Sequence, residues 1–185
     1  MRTLAITQNI TVDGSIEMLG SWFDPERQGD MADLVAEIRR QDATADAFLC
    51  GRQTFLDLRS YWRDLADDPS GVADYLNRVD KYVVSRTLVD PEWAGTTVLD
   101  GGDPVREVGA LRAAEGGDIV LTGSIRLGHT LIEAGLVDEY RLFVYPVVQG
   151  AGRRLFPDGH PVPGLELRSC TRFASGVALL VYAVR

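Results

Sequence analysis

The chain has 185 residues, 45% of them hydrophobic and 25% charged, and 27 acidic against 19 basic side chains leave a net charge of −8. This composition excludes disorder as the main state and fills one domain spanning residues 1–185. The negative surface makes nucleic acid a poor partner. No apolar run reaches the roughly 18 residues a membrane helix needs, and Met1 to Asn9 turns polar too early for a secretory leader. A cytoplasmic chain with no membrane partner is expected.

Leu4 to Val12 is rich in β-formers and closes on the turn signal Asp13-Gly14. Asp30 to Gln41 reads as a helix, with Met31, Leu34, Val35 and Ile38 at helical spacing and Asp30 placed to cap. Ala47 to Cys50 is a short apolar strand ending at Gly51. Helices are expected from about Gln53 and again after Pro69, and the acidic stretch around Asp64 to Asp74 reads as a loop into a helix N-terminus. Lys81 to Ser85 and Thr96 to Leu99 read as strands. Asp103-Pro104 opens a helix to about Ala114, which Gly116-Gly117 stops.

Asp118 to Thr122 is a buried-type strand, followed by Gly123-Ser124 and a helix to Ala134 closed by Gly135. Tyr140 to Val148 is a long strand carrying Pro146, so part of it is an edge or a bulge. Gly150 to Gly164 is a loop rich in Gly and Pro. Leu165 to Phe173 and Val177 to Val184 flank Ala174-Ser175-Gly176 and predict a terminal hairpin. Alternating strands and helices imply an α/β fold with a mostly parallel sheet, and the closing hairpin implies an antiparallel edge.

Three strand ends carry chemistry. Gly51-Arg52-Gln53-Thr54 joins a strand to a helix, where free N–H groups attract phosphate and Arg52 adds a fork of donors. Ser85-Arg86-Thr87 sets one cation between hydroxyls. Thr122-Gly123-Ser124-Ile125 repeats the pattern of strand, glycine and helix start. In open α/β sheets ligands bind at the carboxyl ends of strands, so three such ends suit a dinucleotide. Each is weak alone: Gly51 also reads as a turn glycine and Arg86 as a surface ion-pair partner. The GxGxxG and Walker patterns are absent. Cys50 and Cys170, with His129 and His160, have no metal-ligand spacing, so no metal is expected.

Taken together, these blocks resemble the dihydrofolate reductase-like superfamily. The blocks are Thr11 to Gly14, Gly51 to Phe55, Tyr61-Trp62 with Asp67 to Pro69, Lys81 to Leu88, Gly116 to Ser124, Gly135 to Leu142 and Pro146 to Phe156. The chain is most similar to small relatives of the C-terminal reductase domain of bifunctional riboflavin-biosynthesis deaminase/reductases. The match runs over nearly the whole chain, in order.

The resemblance implies a dihydrofolate reductase-like three-layer fold and an NADPH-dependent reductase. Arg52, Ser85 and Arg86 would hold the 2′-phosphate and adenosine end of NADPH. Gly51 would belong to the same cofactor site, Thr54 would lie near the pyrophosphate and nicotinamide, and Thr122, Gly123, Ser124 and Ile125 would wrap the pyrophosphate. Thr122 departs from the glycine that folate reductases carry there. The substrate would be a small heterocycle: a pterin, dihydrofolate or an aminopyrimidine, with the riboflavin-pathway phosphoribosylamino-uracil as the rival. That rival bears a phosphate, and Arg153-Arg154 and Arg39-Arg40 are the basic pairs outside the cofactor motifs. The deaminase zinc signature is missing. A homodimer is expected.

Asp33 is the nearest match to the carboxylate with which folate reductases grip an aminopyrimidine edge. The same position also suits a carboxylate that complements a helix start. Trp22, Phe23, Tyr61 and Trp62 suit a flat aromatic pocket or core packing. A non-catalytic nucleotide-binding protein on the same scaffold is the reading from another class.

Overall fold

Ala47 to Cys50 is apolar on both of its faces, so as a strand it needs cover on both sides of a sheet. It has that cover. Ala47 and Leu49 share one buried cluster with Val108 and Leu131, while Phe48 and Cys50 share another with Phe55, Tyr75 and Leu76. The structure is a computed structural model, and it describes residues 1–23 and 29–185.

Among the described residues, the elements in chain order are β1 (Leu4–Thr11), α1 (Ala32–Asp42), β2 (Ala45–Gly51), α2 (Arg52–Trp62), α3 (Val72–Arg78), β3 (Asp80–Val84) and β4 (Thr96–Leu99). Then come α4 (Pro104–Ala113), β5 (Asp118–Leu121), α5 (Ile125–Glu133), β6 (Glu139–Tyr145), β7 (Leu165–Arg172) and β8 (Ala178–Val184). The strands form one sheet in the order β4-β3-β2-β5-β1-β6-β8-β7. Strands β4 through β6 along this order pair in parallel, and β8 and β7 add antiparallel. The expected mostly parallel sheet with an antiparallel C-terminal hairpin is therefore present.

The pleat assigns the layers, because successive side chains of a strand point to opposite faces. Helices α4 and α5 cover one face, through Val108, Leu131 and Ile132 against Leu4, Ile6 and Leu142. Helices α2 and α3 cover the other face over β2 and β3. There α1 covers β6 and β8, with Leu34 against Phe143, Tyr145 and Leu179.

Several boundaries move from the sequence expectation for local reasons. Helix α1 begins at Ala32, and Asp30 Oδ1 accepts the Ala32 N–H at 3.0 Å. Strand β6 stops at Tyr145, because Pro146 has no N–H to give a ladder. The acidic loop before α3 is held by Asp68, whose Oδ2 accepts from Ala73 N at 2.8 Å and whose Oδ1 accepts from Ser70 N at 2.9 Å.

The strand order positions the site. The chain steps outward from β2 to β3 to β4, then returns to insert β5 between β2 and β1 and lays β6 beyond β1. That reversal opens a crevice at the carboxyl ends of β2, β5 and β1, the place where open α/β sheets bind ligands.

Candidate functional site

Register brings the glycine-bearing strand ends together. Gly51 stands opposite Val84 of β3, and Leu49 stands opposite Leu121 of β5. Ser85-Arg86 and Thr122-Gly123-Ser124 therefore emerge at the same edge of the sheet, on either side of Gly51. A cleft of about 500 Å³ opens there, lined among others by Gly51, Arg52, Thr54, Gly123, Ser124 and Ile125. Six of the nine cofactor residues expected from sequence thus share one cavity. Thr122 directly precedes it, and Ser85 and Arg86 lie one strand farther out.

The two strand-to-helix junctions are tied by a hydroxyl. Gly51 N–H donates to Ser124 Oγ at 2.9 Å, and Ser124 Oγ donates to Thr54 Oγ1 at 2.9 Å. Ser124 precedes α5, yet it makes no cap bond to its own helix and spends its oxygen across the cleft. Gly123 sits at φ +68°, and a Cβ there would lie 3.2 Å from Thr54 Cγ2. A side chain at Gly123 would be strained and would press on Thr54. Gly123 N–H is taken by Gln8 Oε1 at 3.1 Å, from a side chain buried in β1.

Helices α2 and α5 both begin at this cleft, and the first turn of each contains no acidic residue. The other helices all carry one there: Asp33 in α1, Asp74 in α3 and Glu107 in α4. In a chain of net charge −8 the contrast is physically pointed. The partial positive charge and unpaired N–H groups of a helix start are left for an external anion. Arg52, Arg126 and Arg153 line the same cleft. The side chains of Arg52, Arg86 and Arg126 have no partner among the described residues. Glycine that admits a close backbone approach, two unneutralised helix starts and unpaired guanidiniums fit the pyrophosphate and 2′-phosphate of a dinucleotide.

Ser85 is a turn-former. Its Oγ accepts from Thr87 N at 3.1 Å and Leu88 N at 3.0 Å, which presents Arg86 exposed at the end of β3. Beyond the expected set, Gln53, Asp57, Arg126, Leu127 and Arg153 also line the cleft. Arg126 was readable as the second residue of the helix after Ser124. Arg153 was not, because it arrives on a loop.

That loop, after β6, grips the one after β1. Val12 N donates to Val147 O at 2.9 Å, and Ser15 bridges Arg154. Asp13 accepts from the Thr11 hydroxyl, Gly150 N and Gln149 N, which together pull its carboxyl down to about 2. Arg154 Nη1 donates to Asp13 O at 2.9 Å, so it is committed to the loop.

Asp33 lies away from the cleft. Its Oδ1 accepts from Leu34 N and its Oδ2 from Ala174 N, both at 2.8 Å, which ties α1 to the turn of the terminal hairpin. That turn borders a second recess of about 390 Å³, walled by Trp22, Tyr145, Pro146, Ser175 and Val177. Trp22, Phe23 and Tyr145 pack edge to face, and Trp22 Nε1 donates to Gln149 Oε1 at 2.7 Å. Tyr61 and Trp62 pair with each other at the end of α2, and Trp62 packs in the cluster under α2 and α3. The four aromatic residues therefore form two separate groups.

Cys50 is buried, and desolvation pushes its thiol up to about 12, so it is an inert core group. No cluster of three or more potential metal ligands exists among the described residues. Nor is any of their helices long and apolar enough to cross a membrane.

Comparison with known proteins agrees with this architecture. The chain is 32% identical over 187 residues to the uncharacterized protein YyaP of Bacillus subtilis strain 168, covering 98% of this chain and 94% of that one. A candidate riboflavin biosynthesis protein of Shewanella sp. PV-4 shares the fold with a TM-score of 0.71 at 16% identity, covering 99% of both chains. A pyrimidine reductase-like protein of Corynebacterium diphtheriae, DIP1392, does so with a TM-score of 0.69 at 16% identity, covering 99% of this chain and 92% of that one. The fold is thus the dihydrofolate reductase-like one that the sequence resembles. The profile of the RibD C-terminal domain matches residues 2–179, and the chain belongs to that family.

Proposed function

We propose that this chain is an NADPH-dependent reductase of a small heterocycle of the aminopyrimidine or pterin kind. One observation carries the reading: two helix starts free of acidic residues converge, with glycine and unpaired arginines, on the cleft where the strand order reverses. Membership of the RibD C-terminal domain family and the reductase-like neighbour support it.

Arg52 and Arg86 would hold the 2′-phosphate, with Ser85 shaping the turn that presents Arg86. The starts of α2 and α5, with Gly51, Thr54, Thr122, Gly123, Ser124 and Ile125, would hold the pyrophosphate. NADPH supplies the hydride, so the protein needs no nucleophile of its own. Its task is to orient the ring and keep the reacting faces dry. The aromatic recess of Trp22 and Tyr145 offers a flat ring a wall. Of the basic pairs outside the cofactor motifs, Arg154 is bound to Asp13 O and Arg39 to the carbonyls of Pro69 and Ser70, while Arg153 and Arg40 hold exposed ion pairs with Glu17 and Glu37.

The test is loss of NADPH absorbance against a panel of dihydropterins, dihydrofolate and aminopyrimidines, with the phosphoribosylamino-uracil included. Turnover on an unphosphorylated member is the expected result. Tight NADPH binding with no turnover on any member would replace the reading with a non-catalytic nucleotide-binding one.

A further inference from the structure

Arg153 reaches the cleft from a loop 136 residues away in sequence from its partner Glu17. Its backbone is fixed independently of its side chain. Ile16 N–H donates to Arg153 O at 3.0 Å, and Arg153 N–H donates to Glu17 Oε2 at 2.7 Å. The guanidinium makes a separate contact, with Nε and Nη2 on Glu17 Oε1 at 2.6 and 2.5 Å. The backbone N–H of Arg153 and then its guanidinium hold the Glu17 carboxyl below its ordinary range, so Glu17 is ionised at neutral pH.

Two features make this pair exchangeable. The Arg153 side chain is 57% exposed, so its ion pair is a weak, water-screened one. Glu17 also keeps the Arg153 backbone N–H when the guanidinium leaves, so the exchange costs the loop none of its backbone clamps. The cleft offers the guanidinium an anion already favoured by two helix starts and Arg126.

We propose that Arg153 is a ligand of the cofactor pyrophosphate and that Glu17 is its resting counter-ion, displaced when the cofactor binds. The inference rests on the dinucleotide reading above. Glu17 then acts as an internal competitor that lowers cofactor affinity, and Arg153 joins the loop after β6 to the occupied cleft.

The experiment is calorimetric titration of NADPH into the full chain and its variants, with adenosine 2′-monophosphate as a probe lacking the pyrophosphate. Arg153→Met should weaken NADPH about tenfold, the low end for a charge-assisted bond at an exposed site, and Arg153→Lys should recover part of it. Adenosine 2′-monophosphate should bind all variants alike. Glu17→Gln keeps an acceptor for Arg153 N–H and should tighten NADPH about two- to fivefold. In the Arg153→Met background the Glu17→Gln gain should shrink to near nothing. If wild-type protein binds NADPH but Arg153→Met and Glu17→Gln leave its affinity unchanged, or if their effects simply multiply, the exchange is refuted. If the wild type binds neither NADPH nor the probe, the dinucleotide reading itself fails.

Discussion

Ser124 ties the two strand-to-helix junctions of the cleft, so its removal should be felt in stability and in cofactor binding together. Ser124→Ala removes the acceptor of Gly51 N–H and the donor to Thr54 Oγ1, both at 2.9 Å. A net hydrogen bond is worth about 0.5–1.5 kcal/mol, and an N–H left unpaired costs about 1–3 kcal/mol when buried. Gly51 lines the cleft and is only half-buried, so water reaches it and the lower figures apply. The expected loss is about 1–2 kcal/mol, a fall in Tm of roughly 2–8 °C for a chain of this length. Thr54→Val keeps the shape and deletes one bond, for about 0.5–1.5 kcal/mol. Because the two changes share the Ser124–Thr54 bond, the double variant should cost less than the sum, by about 0.5–1 kcal/mol. Urea unfolding of the four proteins gives the cycle, and NADPH titration on the same samples should show weaker binding for Ser124→Ala. Additive stabilities, or a Ser124→Ala protein as stable as wild type, would refute the claim that this hydroxyl holds the cleft together.

Arg52→Ala and Arg86→Ala should each weaken NADPH by about 10- to 100-fold and leave NADH nearly unchanged, read by titration with both cofactors; equal losses would remove them from the 2′-phosphate. Asp33→Asn leaves one of two N–H groups, on Leu34 or Ala174, without its acceptor. It should cost about 1 kcal/mol and leave turnover within a few-fold, whereas a drop of about 10²-fold in kcat at unchanged Tm would make Asp33 the substrate carboxylate. Asp42 is pushed up to about 6 by burial, with Arg78 offsetting part of the rise. Its folded pKa exceeds its unfolded one, so its favourable contribution is full below the unfolded value near 3.8 and is lost as pH rises through about 6. Asp42→Asn should therefore be more stable than wild type by about 1–2 kcal/mol at pH 7, after discounting for solvent access, and equal to it near pH 4 by urea unfolding. Light scattering should give a dimer mass, since Leu165 and Leu167 lie exposed on the outermost strand β7; a monomer at micromolar concentration would refute it.

The parts of this site that were legible in sequence are those where one short segment contains its own geometry. Cys50-Gly51-Arg52 is strand, extended N-cap glycine and helix start within three residues, and β2 passes into α2 with no intervening loop. The segment from Leu121 to Ile125 joins strand and helix almost as tightly, so the pattern of β-formers, glycine and helix formers specified both elements and the junction between them. The hydroxyl bridge was not legible. Ser124 has the residue type of an ordinary N-cap, and nothing in its neighbours reveals that its acceptor serves Gly51, which is 73 residues away.

The same limit explains Asp33 and Arg153. A carboxylate at a helix start is chemically equipped for a substrate, for its own helix or for a distant backbone. The choice falls to the N–H of Ala174, which arrives only when β8 has paired with β6 and set the hairpin turn against α1. Arg153 looked like half of a basic pair suited to a substrate phosphate. Its neighbour Arg154 is consumed by Asp13 O, while Arg153 turns toward the helix starts. Both border one recess, but only Arg153 also lines the cleft, and only Arg154 is held by the loop after β1. Local pattern therefore wrote the two glycine-bearing strand ends of the cleft into the sequence. Which charges find an internal partner, as Asp33 and Arg154 do, was decided by strand order, because strand order brings the distant loops together.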